Sequence, residues 1–272
     1  MKQRIITGLL LILLLVTLLC LPGWCMALAT LIAIGFAVWE EFHALTTAGH
    51  RVISWPTWMC LVVSIPLTVA LGIKVMVPLL ALNMMILVAI VLFREEPKLE
   101  DLSMSMLPLL TVMLPGLSMV AMSLVMPKAV EVVLLSLTFA VPLLGDTMAL
   151  FVGKALGGRK LCPVVSPKKT ISGSIGGLCG SVLAALLICV IAGAVCNEAT
   201  LARLPRWWEY LFLGLMGGAV GQLGDLFASL VKRHSGIKDF SNVFPGHGGM
   251  LDRLDSVLFM AVLMFCYRLF AA

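Results

Sequence analysis

Asp225, Asp252 and Asp255 are the residues of this chain whose type and spacing are best suited to chemistry. Asp252 and Asp255 stand at i and i+3, so on a helix they share one face. Asp225 lies inside an apolar run, GGAVGQLGDLFASLVKR, where helical spacing puts Ser229 at i+4 and Lys232 at i+7 on its side. An ionised carboxylate in such a run costs about 2.5–3.5 kcal/mol and calls for a partner or a metal. Two carboxylates one turn apart, facing a third from a neighbouring helix, make an all-oxygen set suited to Mg²⁺, with room for a second cation. The alternative is structural: Asp225 pairs with Lys232 or Arg233, and Asp252 with Arg253. A further acid, Asp146, sits near the end of the run VPLLGDTMALFVG and raises the same question.

Two polar segments supply groups for phosphates. Pro245-Gly246-His247-Gly248-Gly249 breaks any helix and can turn successive backbone N–H groups towards an anion, with His247 as a further donor; a plain re-entrant turn uses the same residues. Ser166, Lys169 and Thr170 abut an expected helix start, where the dipole and free N–H groups favour an anion. Carboxylates for a divalent metal beside cations for phosphates imply phosphoryl or nucleotidyl transfer, in which positioning and charge neutralisation do most of the catalysis.

The elements that must carry these groups are membrane helices. The 272 residues are 61% hydrophobic and 12% charged, with a mean hydropathy of +1.10, which leaves too little polarity for a water-facing surface. Long apolar runs fit spanning helices rather than alternating barrel strands, so the expected fold is all-α and polytopic. Nine spans are expected, at 5–21, 24–39, 55–72, 75–93, 106–126, 130–152, 174–196, 208–231 and 255–271. MKQR before the first run could also open a secretory signal, but the next run is equally apolar and Pro22-Gly23 reads as a turn between spans. With a cytoplasmic N-terminus, only Lys74, Lys128, Arg203, Arg206 and Arg268 of the 19 basic residues fall outside, as the positive-inside rule prefers. Loops 153–173 and 232–254 then share the cytoplasmic side.

Residues 1–128 read as spans for packing or dimerisation, which leaves a homodimer open, and 129–272 as the catalytic membrane region. The glycines at 173, 176, 177 and 180, and at 214, 217, 218, 221 and 224, have the three- and four-residue spacing of close helix packing. The eight cysteines contain no CxxC pair and suggest neither a zinc site nor a disulfide framework.

Taken in order, Ser166-Pro167-Lys168-Lys169-Thr170, Gly224-Asp225, Ser229, Lys232-Arg233, Gly236-Ile237-Lys238-Asp239 and Pro245-Gly246-His247-Gly248-Gly249-Met250-Leu251-Asp252-Arg253-Leu254-Asp255-Ser256 resemble the phosphatidate cytidylyltransferase family. The resemblance covers roughly residues 142–258. It implies an Mg²⁺-dependent enzyme of a bacterial-type inner membrane that joins CTP to phosphatidic acid among membrane lipids, with no nucleic-acid partner. It also implies metal ligation by Asp225, Asp252 and Asp255. Phosphates would be held by Lys232, Arg233, Lys169, His247 and Arg253, with Ser166, Thr170, Ser229 and Asp146 near the substrates. The chain departs from the family after Asp146, where Thr147-Met148-Ala149-Leu150 only partly follows a small-aromatic pattern, and at Ser172, where many members carry an acid or amide. A divergent paralogue acting on another lipid phosphate fits these departures. A transporter also places acids in spans but does not call for a basic, glycine-rich loop beside paired aspartates.

Overall fold

The computed structural model describes residues 2–244, 246 and 248–271. Among them the chain forms α1 (Lys2–Cys20), α2 (Gly23–Thr47), α3 (Trp55–Leu71), α4 (Met76–Leu92), α5 (Leu99–Pro108), α6 (Leu114–Val125), α7 (Lys128–Leu156), β1 (Lys160–Cys162), β2 (Ser166–Thr170), α8 (Ile171–Val195), α9 (Glu198–Leu201), α10 (Trp207–His234) and α11 (Leu251–Ala271). The fold is that of an all-α polytopic membrane protein. Five helical stretches are long and apolar enough to cross a membrane: α2, α5 through α6 (Leu99–Val125), α7, α8 and α10. Ile6–Cys20, Trp55–Leu71 and Met76–Leu92 are shorter apolar helices. Each of the nine expected runs falls on helix among the described residues, while length and composition support five crossings. All eight cysteines are free thiols.

Two segments depart from the sequence expectations. The segment 153–173 is not an open loop. Helix α7 runs on to Leu156, β1 and β2 pair antiparallel with Lys160 opposite Thr170, and α8 starts at Ile171. Pairing satisfies backbone groups beside the apolar phase that a bare loop would leave to water. Likewise α2 does not stop at residue 39. It continues to Thr47, because Phe42, Ala44 and Leu45 extend the buried stripe, and it carries Glu40 and Glu41 into the interior at 0% and 1% exposure.

The chain divides into two compact units, one of residues 1–125 with 231–253 and one of 126–230 with 254–272. In the first unit, α2 packs on α6, and Gly116 presses so closely on Ile34 that it has no room for a side chain. Leu109–Met113 forms a π turn between α5 and α6, with the Leu114 N–H bonded to the Leu109 carbonyl. The widened turn precedes Pro115, whose missing N–H would interrupt a regular ladder. In the second unit α7 packs along α8, and Ser181 Oγ donates to the Val141 carbonyl at 3.0 Å. Lipid offers little hydrophobic drive between helices, so close backbone approach and such bonds hold them. A Cβ at Gly173 would lie 2.8 Å from the Ala149 carbonyl oxygen, and one at Gly180 2.6 Å from Met148 Cβ. The glycine spacing therefore serves packing, as expected.

Candidate active site

In the second unit the chemistry gathers where the hairpin meets α8. Thr170 is the N-cap of α8, extended at φ −117° and ψ 155°, and its Oγ accepts from the Gly173 N–H at 3.1 Å. That satisfies one of the orphan donors of the helix start. Lys169, the residue before, forms an ion pair with Asp225 of α10, and both side chains are about one-quarter exposed. One turn earlier on α10, Gln222 Nε2 donates to the Ser174 carbonyl at 3.0 Å, and Ser174 Oγ bonds Gln222 Oε1. These two hydrogen bonds join α8 and α10 one turn from the Lys169–Asp225 pair. Sequence reasoning missed Gln222 and Ser174; the signal was a lone amide in an apolar run, three residues from an acid.

Asp255 is brought to the same helix pair by a glycine. A Cβ on Gly224 would sit 2.5 Å from the Asp255 carbonyl oxygen and 2.9 Å from the Phe259 ring, so α10 and α11 approach backbone to backbone here with the Phe259 ring alongside. Asp255 Oδ1 accepts the Ser256 N–H at 2.7 Å. Ser229 is half-buried one turn beyond Asp225; Ser166 is half-buried on β2, and Asp146 is exposed on α7.

In the first unit a second carboxylate is fully engaged. Asp252 Oδ1 pairs with Lys232 Nζ at 2.6 Å, while Oδ2 accepts the Phe240 N–H at 2.8 Å and the Gly249 N–H at 3.0 Å. The ammonium of Lys232 also lies 5.4 Å from the centre of the Phe240 ring. Both charged side chains are mostly buried, at 13% and 4% exposure, and each supplies what the other loses on leaving water. Arg233 and Arg253 are exposed.

The acid pairings suggested by spacing are thus replaced. Asp225 takes Lys169 rather than Lys232 or Arg233, and Asp252 takes Lys232 rather than Arg253. The reason is reach: adjacent residues on a helix diverge, so Arg253 points away from Asp252, whereas the hairpin and α10 deliver a lysine end-on to each acid. The glycine segment is also less open than expected. The Gly249, Met250 and Leu251 N–H groups are taken by carboxylates, and Phe244 and Gly248 bridge through a 2.9 Å hydrogen bond. Gly246 and Gly248 hold φ of +79° and +81°, which other L-residues resist. His247 lies outside the described residues.

Among the described residues no three His, Cys, Asp or Glu side chains form a ready metal cluster. As a donor set, Asp225 and Asp255 fit a hard divalent cation: both are carboxylates, and Gly224 lets their helices approach closely. Asp252 would have to exchange Lys232 for the metal.

Comparison with known proteins bears on the family of the chain. Over 127 residues the chain is 47% identical to a phosphatidate cytidylyltransferase of Bacillus subtilis, covering 46% of this chain and 43% of that protein. It is 43% identical over 129 residues to one of Brucella abortus, covering 47% and 44%, and 42% identical over 126 residues to one of Staphylococcus aureus, covering 46% and 45%. The match thus spans less than half the length of each of these relatives. The profile of the cytidylyltransferase family is more extensive, matching residues 2–271, and the chain belongs to that family.

Proposed function

We propose that this protein is a phosphatidate cytidylyltransferase of a bacterial-type inner membrane, with its N-terminus, the hairpin and the segment after α10 on the cytoplasmic side. The reading is carried by one observation above all: Lys169 and Asp225 meet beside the capped start of α8, and Asp225 is the one charged residue of α10 between Glu209 and Lys232. A cation suited to phosphate and a carboxylate suited to metal thus stand side by side in an apolar bundle.

In the reaction, an oxygen of the phosphatidate phosphate attacks the α-phosphorus of CTP. The new P–O bond forms as the bond to the β-phosphate oxygen breaks, and pyrophosphate leaves with that electron pair. Asp225 and Asp255 would hold Mg²⁺ and a second cation, which when bound would neutralise the triphosphate and the charge developing on pyrophosphate. Lys169 has two anionic partners to choose from. When its carboxylate is committed elsewhere, its ammonium is released to a substrate phosphate. Ser166, Thr170 and Ser229 offer hydroxyls to phosphate oxygens in the second unit, and Arg233, Arg253 and His247 keep the phosphate-binding roles that the family resemblance implies. No side-chain nucleophile is required.

The test is direct. Purified protein in detergent micelles, given α-labelled CTP, phosphatidate and Mg²⁺, should put label into CDP-diacylglycerol with equal release of pyrophosphate. Label entering only a different lipid phosphate would assign the chain to a divergent paralogue. No consumption of CTP with any lipid phosphate would overturn the reading.

A further inference from the structure

Glu40 lies in the N-terminal helices, where the sequence shows no chemistry, yet it is fully buried and reaches the far end of the chain. Its Oε1 accepts the Met250 N–H at 2.9 Å and the Ser241 hydroxyl at 2.5 Å, and its Oε2 accepts the Leu251 N–H at 2.7 Å. Among the described residues no lysine or arginine forms an ion pair with it. The positive end of α11, whose first residue is Leu251, supplies the compensation instead. Gly249 completes the fit: a Cβ there would lie 2.7 Å from Glu40 Oε2.

Two carboxylates therefore close the base of the glycine segment. Asp252 takes the N–H groups of Phe240 and Gly249, and Glu40 takes those of Met250 and Leu251 together with Ser241. Asp252 is local to α11, whereas Glu40 ties the segment to α2. A buried acid compensated by a helix start rather than by a mobile cation side chain is specific about where that start sits. What it provides is a fixed register for the residues on either side, Gly246, Gly248 and Arg253.

We propose that Glu40 is a positioning residue for nucleotidyl transfer, clamping Ser241 and the start of α11 at Met250 and Leu251 so that the neighbouring Gly248 and Arg253 are held in place before substrate arrives. This rests on the function proposed above. Its test has two arms. Hydrogen exchange in lipid nanodiscs reads the clamp itself: Glu40→Gln should speed exchange of the Met250 and Leu251 amides by at least about tenfold, since an amide offers one acceptor where the carboxylate offers two. Turnover reads its use: kcat per folded molecule should fall by about tenfold or more, with Glu40→Asp recovering part of the loss.

A purely structural role predicts instead a lower melting temperature with normal kcat in the molecules that remain folded. Wild-type exchange, or wild-type kcat, in Glu40→Gln would overturn the proposal. If Glu40→Gln does not fold, Gly249→Ala presses on the same carboxylate from the segment side and should give the same two signatures; wild-type behaviour there overturns it equally. Should the wild-type protein make no CDP-diacylglycerol, the functional reading fails, while the exchange arm still decides whether Glu40 is a clamp.

Discussion

Gly224→Ala is the sharpest probe of how the second unit sets its carboxylates. The added carbon would stand 2.5 Å from the Asp255 carbonyl oxygen and 2.9 Å from the Phe259 ring. Ordinary contact begins near ~3.5 Å, so α10 and α11 must separate by about 1 Å at this level. The oxygen belongs to helix backbone and cannot swing aside as a side-chain tip does. Overpacking of this kind costs about 1–3 kcal/mol, which a membrane bundle of this size survives. The effect on turnover should be larger, because a displacement of about 1 Å in a reacting constellation can cost ~10²-fold. Gly193→Ala is the matched control, since nothing lies within 4 Å of a Cβ there. The assay is CDP-diacylglycerol formation per folded molecule, with a thermal melt on the same samples. A Gly224→Ala protein with wild-type kcat would refute the idea that this approach sets the spacing of Asp225 and Asp255.

The same geometry sets other outcomes. Asp225→Asn should remove most turnover, roughly 10²-fold or more, while the melting temperature changes little, because Lys169 is partly exposed and loses only a solvent-screened partner. A destabilised but fully active protein would return Asp225 to a structural role. Excess EDTA should abolish CDP-diacylglycerol formation and added Mg²⁺ restore it; full activity in the chelator would exclude the divalent cation. Single cysteines placed at Val164 and Val243, in a background with the native thiols replaced, should both react with an impermeant reagent from the cytoplasmic side. Labelling from opposite faces would break the topology.

How far the site was legible depended on whether its partners were local. Asp225 stood out because a charge in an apolar run is costly, and Asp252 and Asp255 because their i, i+3 spacing puts them on one helix face. The helix start beside Thr170 was legible too, but the sequence assigned that residue to an anion, whereas its hydroxyl accepts the Gly173 N–H as a cap. The identities of the partners were not legible. Lys169 meets Asp225 only because a hairpin turns 160–170 back on itself, and nothing in Cys162-Pro163-Val164-Val165 announces that pairing over an open loop. Glu40 and Glu41 read as the end of a span, because acids usually mark the water boundary. One is held by the start of α11, and the other lies within 2.8 Å of the Thr111 hydroxyl. Neither contact has any signature in the residues nearby.

The 210 residues between Glu40 and the Met250 N–H have a bearing on biogenesis. A ribosome adding about 5–20 residues per second needs roughly 10–40 s to travel from one to the other. Throughout that interval the nascent chain has a carboxylate in an apolar helix whose eventual donors do not yet exist. The acid must therefore find its hydrogen-bond partners in water until α11 is delivered. Stalled chains ending before Ser241 should accordingly react at Glu40 with a carboxyl-modifying reagent, and folded chains that carry α11 should not. Assembly of the glycine segment is thereby postponed until α11 has been made, so a nascent chain whose first helices are already inserted does not yet hold that segment in place.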